Sequence, residues 1–301
     1  MLITGGAGFI GSHVVEKAIE LGHHVSVLDN QSTGRRKNVH SRTSYYFVDI
    51  SHQPIMDIFI KERPEIVVHL AAQSAVPVSV KSPLSDALSN VIGTLNVLEA
   101  ARHTGARKVI FASTAAVYGN ISATIPLKEE WSGRLLSPYA VSKSTGEHYL
   151  RVYQELYGLS YTTFRFANVY GPRQLPKSDG GVIAYFLENI RQDRVLPIYG
   201  DGEQTRDFIY VEDVAEAIVL AFERGDNALM NLSTGTPTSI NRLLDQLEKI
   251  MQKPLSRSYK EERPGDIRHS YLCNERLRKL LGWAPRFSLQ DGLLRTWQYQ
   301  S

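Results

Sequence analysis

The stretch Ile3-Thr4-Gly5-Gly6-Ala7-Gly8-Phe9-Ile10-Gly11-Ser12 places Gly5, Gly8 and Gly11 at a three-residue spacing, between a short strand pattern and a helical pattern. Backbone N–H groups that no side chain covers, together with the N-terminus of a helix, favour a bound anion such as phosphate. A glycine triplet by itself also fits a plain tight turn. The residues that follow along the chain therefore decide between these two interpretations.

Asp29 ends the next strand pattern, His24 to Leu28, and follows Gly11 at about the separation, roughly 20 residues, at which dinucleotide-binding folds carry an acidic residue. Its carboxylate can accept hydrogen bonds from both hydroxyls of adenosine ribose and would repel a 2′-phosphate, so NAD is favoured over NADP. Arg35 and Arg36 leave NADP open as a lesser alternative. No lysine followed by serine or threonine comes after the glycines, which argues against a P-loop ATPase or GTPase.

Short β-branched runs alternate with longer helical patterns up to about residue 165, which predicts a parallel sheet with helices on both faces. One helical segment, Leu84 to Arg102, carries an apolar stripe that is either core or a subunit interface. The stripe comprises Leu88, Val91, Leu95 and Leu98. The predicted strands are Val25 to Leu28, Tyr45 to Val48, Ile66 to Leu70, Val109 to Ala112 and Tyr161 to Phe166.

Beyond Phe166 the pattern breaks into short elements, punctuated by turns at Tyr170-Gly171-Pro172, Gly180-Gly181 and Gly200-Asp201-Gly202. The fold class is therefore α/β, with a Rossmann-type doubly wound parallel sheet and a smaller, irregular α/β substrate lobe. We expect residues 1–165, plus roughly 208–225, to form the nucleotide-binding domain, and residues 166–207 and 226–301 to form the lobe. The tail from Asn274 to Trp297 reads as two short amphipathic helices.

The composition excludes several classes of protein. The 301 residues are 43% hydrophobic and 22% charged, as in ordinary globular proteins. The balance of 34 basic and 31 acidic residues is too even for a protein that neutralises nucleic-acid phosphates. The single cysteine, Cys273, cannot form an intrachain disulfide, and no apolar run approaches the ~20 residues of a membrane span. With no signal-peptide pattern at Met1, we expect a cytoplasmic protein without a nucleic-acid or membrane partner.

Tyr139 and Lys143, in the segment Ser137-Pro138-Tyr139-Ala140-Val141-Ser142-Lys143, stand four residues apart and share one face of a helix that proline is suited to open. A phenol is a poor base at neutral pH unless a nearby cation lowers its pKa, and Lys143 is the candidate cation. Ser113 and Thr114 follow a buried strand pattern, where ligands bind in open α/β sheets, although they also suit a simple loop cap.

Together these features resemble the extended short-chain dehydrogenase/reductases, and within them the UDP-glucose (UDP-galactose) 4-epimerases, over nearly the whole chain. The Tyr139–Lys143 pair alone would fit an exposed helix face, but the resemblance rests on many segments in order. They are Thr4 to Gly11, Leu28 to Asn30, Ser32 to Gly34, Asp49-Ile50, His69 to Gln73, Asn90, Thr114, Tyr139 with Lys143, Arg165 to Arg173, and Gly200 to Asp213.

The resemblance implies a role for each matching residue. Thr114, Tyr139 and Lys143 are implied as the catalytic trio, and no metal is expected. The cofactor NAD is implied to contact Gly5, Gly8, Phe9, Ile10, Gly11, Asp29, Asn30, Ser32, Thr33, Gly34, Asp49, Ile50, Leu70, Ala71, Ala72, Gln73, Asn90, Ser113, Tyr139, Lys143 and Phe166. The UDP-sugar is implied to contact Thr114, Tyr139, Asn168, Val182, Pro197, Tyr199, Arg206, Arg263, Asp266 and Ser270.

The implied reaction is 4-epimerisation of a UDP-hexose by transient oxidation at C4, rotation of the 4-keto sugar and return of hydride. A 4,6-dehydratase is disfavoured because its relatives carry Asp-Glu just after the threonine, where this chain has Ala115-Ala116. A UDP-glucuronate epimerase or decarboxylase stays open, as does a catalytically silent NAD sensor, although the full trio argues against the sensor.

Three further expectations follow from the resemblance. The small residue Ser270, at a position that limits space around the sugar 2-substituent, suggests that UDP-GlcNAc and UDP-GalNAc are also accepted. Related enzymes form homodimers through two helices of each subunit, and the stripe from Leu88 to Leu98 suits one of them. Gln73-Ser74 replaces a lysine that some relatives carry after the His69 strand, so contacts there are open.

Overall fold

The computed structural model describes residues 1–52, 54–121, 126–176, 181–262 and 267–300. Its strands are β1 Leu2–Thr4, β2 Ser26–Asp29, β3 Ser44–Phe47, β4 Ile66–His69, β5 Lys108–Thr114, β6 Ser160–Phe166, β7 Asn168–Tyr170, β8 Leu196–Tyr199, β9 Thr205–Tyr210, β10 Ala228–Leu232, β11 Pro237–Ser239 and β12 Arg257–Lys260. Its α-helices are α1 Phe9–Glu20, α2 Met56–Glu62, α3 Val76–Lys81, α4 Pro83–Ala87, α5 Gly93–Thr104, α6 Pro138–Tyr157, α7 Val182–Arg191, α8 Val211–Leu220, α9 Ile240–Met251, α10 Glu275–Leu281 and α11 Leu289–Gln300.

The main sheet takes seven strands from the described residues, all parallel, in the order β10-β6-β5-β4-β1-β2-β3. The five strands predicted from the sequence are confirmed, each with ends within a few residues. The strand order reverses direction between β1 and β4, so the loops after these two strands diverge and leave a crevice at the carboxyl edge. The expected Rossmann-type α/β class is confirmed.

The sheet is covered on both faces. Helices α1 and α8 pack against each other over one face, around core residues such as Val14, Ile110 and Ile218. Helices α2, α5 and α6 cover the other face, around Phe59 and Leu98. Both faces are buried, which is why the strands read as nearly continuous apolar runs instead of alternating ones.

The second lobe is built from short elements, as the turn-rich sequence indicates. A three-stranded sheet, β11-β9-β7, and a two-stranded sheet, β12-β8, pack with α7, α9 and α11 around a separate apolar cluster. Strand β10, from residues 228–232, joins the main sheet, although the sequence analysis places that segment in the lobe. The lobe boundaries as a whole stay a prediction. The tail forms the two expected helices, α10 and α11.

The helix predicted from Leu84 to Arg102 is present, but a single π-helical turn, Leu88–Ile92, joins α4 to α5. The extra residue in this turn rotates the buried face of the helix. Leu98 of the apolar stripe is fully buried in the core, and the polar residues Asp86 and Asn90 are buried as well. Of the helices in the described ranges, none has the length and apolar content needed to cross a bilayer.

Candidate active site

The glycine-rich turn packs too closely for side chains at two positions. Gly5 has a φ of +72°, and a Cβ on it would lie 2.7 Å from the Ala71 nitrogen in the loop after β4. A Cβ on Gly11 would overlap the carbonyl oxygen of Gly5. These contacts let the start of α1 approach the ends of β1 and β4, so a ligand at the crevice meets bare backbone.

Helix α1 begins without a side-chain cap. Gly8 is the N-cap residue, and the first turn carries no acidic side chain that would compete for its N–H groups. The unpaired N–H groups and the positive end of the helix dipole therefore face the same crevice. This is the arrangement that a diphosphate requires, so the turn fits the pyrophosphate of a dinucleotide.

Asp29 lies at the carboxyl end of β2 and is 7% exposed. One carboxylate oxygen accepts the Ala7 N–H at 2.9 Å, and the other accepts the Gln31 N–H at 2.7 Å. Burial raises the pKa of this carboxyl group, which these hydrogen bonds oppose. Each oxygen keeps a lone pair, so the carboxylate can still accept a ribose hydroxyl on each side.

The predicted adenine side lies next to Asp29. The Asn30 amide donates to the Asp49 carboxylate at 2.9 Å, which ties the end of β2 to the loop after β3. Ile50 is buried, and its side chain packs against Gly93 at the start of α5, where a Cβ would lie 2.8 Å from Ile50 Cδ1. Ser32, Thr33 and Gly34 lie in the loop after β2, close behind Asp29. Ile50 gives this side of the crevice an apolar surface of the kind on which a flat base can rest.

His69 is fully enclosed at the end of β4 and links the two strands that flank the crevice. Thr94 Oγ1 donates to the Asn90 carbonyl, so it accepts from His69 Nε2 at 3.0 Å. In the neutral ring Nδ1 is then the acceptor, and Thr4 Oγ1 donates to it at 2.7 Å. Burial, and then the positive charge of Lys143, lower the pKa of His69 to about 3. The ring is therefore a neutral brace.

The loop after β4 carries the predicted nicotinamide-side residues Leu70 to Gln73. Asn90, in the π-helical turn, pairs with the Gln73 backbone in both directions: its Oδ1 accepts from the Gln73 nitrogen and its Nδ2 donates to the Gln73 oxygen, each at 2.9 Å. This double hydrogen bond replaces a backbone ladder and fixes the loop. Ala71 and Ala72 lie between β4 and this fixed point, and both are half-buried.

Helix α6 carries Tyr139 and Lys143. Ser137 caps the helix by accepting the Ala140 N–H at 3.2 Å, and Pro138 occupies the first turn, as predicted. Tyr139 is 9% exposed and lies near Thr114. Burial raises the pKa of Tyr139 to about 12, the Thr114 hydrogen bond opposes this, and the charge of Asp86 adds to it.

Thr114 also has the structural role that the sequence left open. Its hydroxyl oxygen accepts the Ala116 N–H at 3.2 Å and so caps a short 3₁₀ turn, Ala115–Tyr118. The hydroxyl proton of Thr114 is not used by this cap, so Thr114 can still donate to Tyr139, and the two roles are compatible.

Lys143 lies beneath Tyr139, against the sheet. Its ammonium group donates to the Ala112 carbonyl at 2.9 Å and lies 4.9 Å from the centre of the Phe111 ring. Burial lowers the pKa of Lys143 to about 8, while the negative charge of Asp86 opposes this change. Near neutral pH the group is an ammonium enclosed by protein.

Several supporting residues were missed by the sequence analysis. Asp86 has no exposed surface and bonds Ser142 of α6, and the His69 brace was likewise not predicted. A sequence signal existed, because Asp86, Asn90 and Thr94 recur every four residues and form a polar stripe beside the apolar one. A polar stripe on a helix that covers a sheet indicates a buried network when it faces inward.

The candidate substrate residues lie in the second lobe. Asn168 begins β7 and is exposed, Val182 begins α7, and Pro197 and Tyr199 lie in β8. Arg206 in β9 donates to the Ile267 carbonyl at 2.7 Å, and the Ser270 nitrogen donates to the Thr205 carbonyl at 3.2 Å. Strand β9 thereby holds Ser270 beside Arg206. Arg263 and Asp266, the other predicted contacts, lie outside the described residues.

The remaining cofactor candidates also lie along the carboxyl edge. Phe9 and Ile10 begin α1, Ser113 lies near the end of β5, and Phe166 ends β6. The edge thus combines an anion cradle, an acidic strand end and a phenol with a buried ammonium. Such a set suits proton transfer beside a bound dinucleotide. In the described part of the chain, no group of three or more His, Cys, Asp or Glu is arranged to hold a metal ion.

Comparison with known proteins agrees with this geometry. The NAD dependent epimerase/dehydratase family matches residues 1–232. The crystal structure of a UDP-glucose 4-epimerase with UDP-glucose from Thermotoga maritima superimposes with a TM-score of 0.96 at 44% identity, covering 99% of this chain and 97% of that one. A UDP-glucose 4-epimerase complex with NAD from Thermus thermophilus gives 0.93 at 40% identity with the same coverage. A UDP-N-acetylglucosamine 4-epimerase from Methanobrevibacter ruminantium, in complex with UDP-N-acetylmuramic acid, gives 0.94 at 36%, again with the same coverage.

Proposed function

Because the chain belongs to the NAD dependent epimerase/dehydratase family, we propose that it is an isomerase that inverts C4 of a UDP-hexose, with UDP-glucose and UDP-galactose as its substrate pair. The observation that carries the proposal is the position of Thr114, Tyr139 and Lys143. They lie together at the carboxyl edge of the sheet, between a dinucleotide cradle and the second lobe.

The residues present fit NAD. The turn from Gly5 to Gly11 would hold the pyrophosphate, Asp29 the adenosine ribose, and the loop from Leu70 to Gln73 the nicotinamide side. Asp29 favours NAD over NADP because its negative charge repels the 2′-phosphate of NADP. When bound, NAD would supply the oxidant that C4 needs in the first half of the reaction and, in its reduced form, the reductant that the 4-keto sugar needs in the second.

Tyr139 takes the proton of the 4-hydroxyl in the first half-reaction and returns it in the second. Its pKa of about 12 keeps Tyr139 protonated near neutral pH in the protein alone, so the proposal requires a further positive charge, which the bound nicotinamide would supply, to favour the phenolate. Thr114 donates to the same phenol oxygen and stabilises the negative charge that develops there. Lys143 adds a buried positive charge one helical turn below.

The second lobe has to hold the UDP group while the 4-keto sugar rotates. Asn168, Tyr199 and Arg206 come from three strands of that lobe, and Arg206 has the planar donor group that binds phosphate oxygens in pairs. Nucleotide contacts made away from C4 leave the sugar free to present either face to Tyr139. Ala115 and Ala116 supply no acid or base for elimination, which supports epimerisation over dehydration.

The test is to incubate the purified protein with UDP-galactose, UDP-GalNAc and UDP-galacturonate in separate reactions, without added NAD. C4-inverted products are then followed by NMR. Conversion of UDP-galactose supports the proposal and shows that the cofactor is retained. Conversion of UDP-galacturonate alone would identify the protein as a UDP-glucuronate 4-epimerase. Release of CO₂ from UDP-glucuronate would identify it as a decarboxylase. No conversion after NAD is added would contradict the proposal.

Ser270 supports a second substrate pair, UDP-GlcNAc and UDP-GalNAc. Its small side chain is half-buried and is held beside Arg206 through the Thr205 carbonyl. A small residue leaves room for an N-acetyl group at the sugar 2-position. We expect Ser270→Tyr to reduce kcat/KM for UDP-GalNAc much more than for UDP-galactose. Equal loss for both sugars, or no turnover of UDP-GalNAc by the unchanged protein, would contradict this assignment.

A further inference from the structure

Asp86 of α4 is the most enclosed carboxylate near the catalytic helix. It has no exposed surface, and its oxygens accept three hydrogen bonds. Gln73 Nε2 donates at 2.8 Å, Asn90 Nδ2 donates at 3.0 Å, and the Ser142 hydroxyl donates at 2.7 Å. All three donors are neutral, and within the described residues Asp86 forms no ion pair.

Three separate elements meet at this one side chain. Gln73 belongs to the loop after β4, Asn90 to the π-helical turn, and Ser142 to α6, 56 residues further along the chain. The π-helical turn makes this possible, because it directs Asn90 both to the Gln73 backbone and to Asp86. Turns of this kind are frequent at functional sites. Asp86 thus connects the predicted nicotinamide loop to the catalytic helix.

A buried carboxylate is costly to desolvate, and neutral donors compensate for this cost only in part. An asparagine at the same position would connect the same three elements without burying a charge. The negative charge therefore calls for a function of its own. Lys143, which follows Ser142 in α6, is the buried cation in the same region.

We propose that Asp86 is a positioning residue for the Tyr139–Lys143 pair, whose carboxylate fixes the Gln73 loop against α6 and whose charge keeps Lys143 an ammonium inside the protein. The proposal rests on the proposed function in one respect, because it takes the pair to be the catalytic one.

The charges around the pair agree with this role. Burial lowers the pKa of Lys143, and Asp86 opposes the change. Burial raises the pKa of Tyr139, and Asp86 adds to that effect. From β5, Lys143 meets the Ala112 carbonyl and the Phe111 ring, which carry no charge, and from β4 His69, which is neutral above about pH 3, contributes no competing charge. Asp86 is thus the anion that faces both members of the pair.

Removing the charge has a defined consequence. In Asp86→Asn the pKa values of Tyr139 and Lys143 both fall. Both limbs of the profile of activity against pH therefore move to lower pH, and the alkaline limb moves because Lys143 loses its proton at a lower pH. Two charges several ångströms apart in a protein interact strongly enough to shift a pKa by about one unit. Asparagine has the same shape as aspartate, and the hydrogen bonds can be kept because the Ser142 hydroxyl can rotate to accept from the new amide group at position 86.

The experiment measures two quantities against pH for the unchanged protein, Asp86→Asn, Asp86→Glu and Ser142→Ala. One is kcat for the UDP-hexose that the protein converts. The other is the dissociation constant for NAD, followed by quenching of protein fluorescence after bound nucleotide has been removed. The second needs no sugar, so it tests Asp86 even if every UDP-sugar fails as a substrate. Circular dichroism and thermal unfolding verify that each variant is folded.

We expect Asp86→Asn to move the alkaline limb of both profiles about one unit lower, with kcat reduced more than KM is raised. Asp86→Glu, which keeps the charge, and Ser142→Ala, which keeps the carboxylate but removes one donor, should leave the limb in place. Unshifted limbs in folded Asp86→Asn would overturn the proposal, whatever its activity. An equal shift in Ser142→Ala would assign the effect to the hydrogen bond and would also overturn it. If Asp86→Asn does not fold, the test rests on Asp86→Glu. A shifted alkaline limb in folded Asp86→Glu would overturn the proposal, and an unshifted limb would support it.

Discussion

Glu147 and Arg165 form an ion pair of 2.7 Å in the interior, with side chains 7% and 11% exposed. Glu147 lies one helical turn after Lys143 in α6, and Arg165 lies in β6, so the pair fastens α6 to the sheet. Ser113, at the end of β5, donates to the same carboxylate. Arg165 also stacks 4.7 Å from the centre of the Tyr118 ring.

Glu147→Ala should therefore destabilise the protein by about 3–5 kcal/mol, because it leaves the guanidinium group buried without its partner. Urea unfolding at pH 7 measures the change. The matched control is Glu20→Ala, which breaks the exposed Lys17–Glu20 pair of α1 and should cost less than about 1 kcal/mol. Comparable losses in the two variants would show that the interior pair does not fasten α6.

Tyr139→Phe should reduce kcat by about 10²–10⁴-fold, since it removes the group that moves the proton of the 4-hydroxyl while the ring still fills its site. The NAD content and thermal unfolding should stay close to those of the unchanged protein. Tyr153→Phe is the control, because Tyr153 lies in the same helix but donates to Glu99, away from the crevice. Full activity in Tyr139→Phe would remove the tyrosine from its proposed role.

The alternation of strands and helices, the glycine spacing and Asp29 were enough to predict the class of fold and the cofactor edge. These features are local: each depends on periodicity or on residues that follow one another within about 30 positions. The same holds for the start of α6, where Ser137 and Pro138 indicate a helix with Tyr139 in its first turn. Local physics therefore determined most of the main sheet and the catalytic helix.

The support of the site could not be predicted in the same way. A polar residue in an amphipathic helix usually faces water, so the polar stripe that contains Asp86 could be assigned to solvent as readily as to a buried network. Its bond to Ser142 depends on how α4 packs on α6, and the π-helical turn departs from the 3.6-residue period used to assign the buried face. The second lobe was predicted only as irregular, because its short strands pair across long separations in the chain.

Lys143→Met should stabilise the protein at pH 7 while abolishing activity. Burial lowers the pKa of Lys143 to about 8, from 10.5 for an exposed lysine, with Asp86 opposing the shift. Below about pH 8 the buried charge is fully present and costs stability. Between about pH 8 and pH 10.5 the lysine is protonated in the unfolded chain but not in the folded protein, so the free energy of unfolding rises with pH. The gain should be about 1–3 kcal/mol at pH 7 and should shrink above pH 8.

Urea unfolding from pH 6 to 10 tests this, after nucleotide has been removed, because a ligand that binds the folded state adds its own stability. Lys279→Met, on the exposed face of α10, is the control and should show no such dependence on pH. A gain in Lys143→Met that stays constant across the range would mean that burial does not control this lysine.

Asp29→Asn should change the choice of cofactor. Its carboxylate repels a 2′-phosphate and accepts ribose hydroxyls, so the substitution should weaken NAD binding and relieve the repulsion of NADP. The preference for NAD over NADP should fall by about 100-fold, which corresponds to roughly 3 kcal/mol. Dissociation constants for both nucleotides give the ratio. Asp57→Asn, an exposed change on α2, should leave the ratio unaltered, and an unaltered ratio in Asp29→Asn would contradict the assignment.

We propose that the protein forms a homodimer through the outer face of α4 and α6. These helices contact each other and expose large apolar side chains, among them Leu84 at 74% and Leu156 at 67%. Leu98 of the stripe predicted from the sequence is buried in the core and is not available for a subunit contact, so α6 has to supply a large part of the dimer interface. Exposed apolar side chains on adjacent helices mark a contact between proteins, and an isologous pair of such faces makes a four-helix interface.

Light scattering coupled to gel filtration should give the mass of two chains for the unchanged protein and of one chain for Leu84→Lys/Leu156→Lys. The charges would have to be buried without partners in the dimer, which costs several kcal/mol per subunit. Leu21→Lys is the matched control, because Leu21 is 56% exposed just after α1, on the opposite face of the sheet, and its variant should stay dimeric. A single-chain mass for the unchanged protein at high concentration, or a double variant that remains dimeric, would move the interface elsewhere or exclude it.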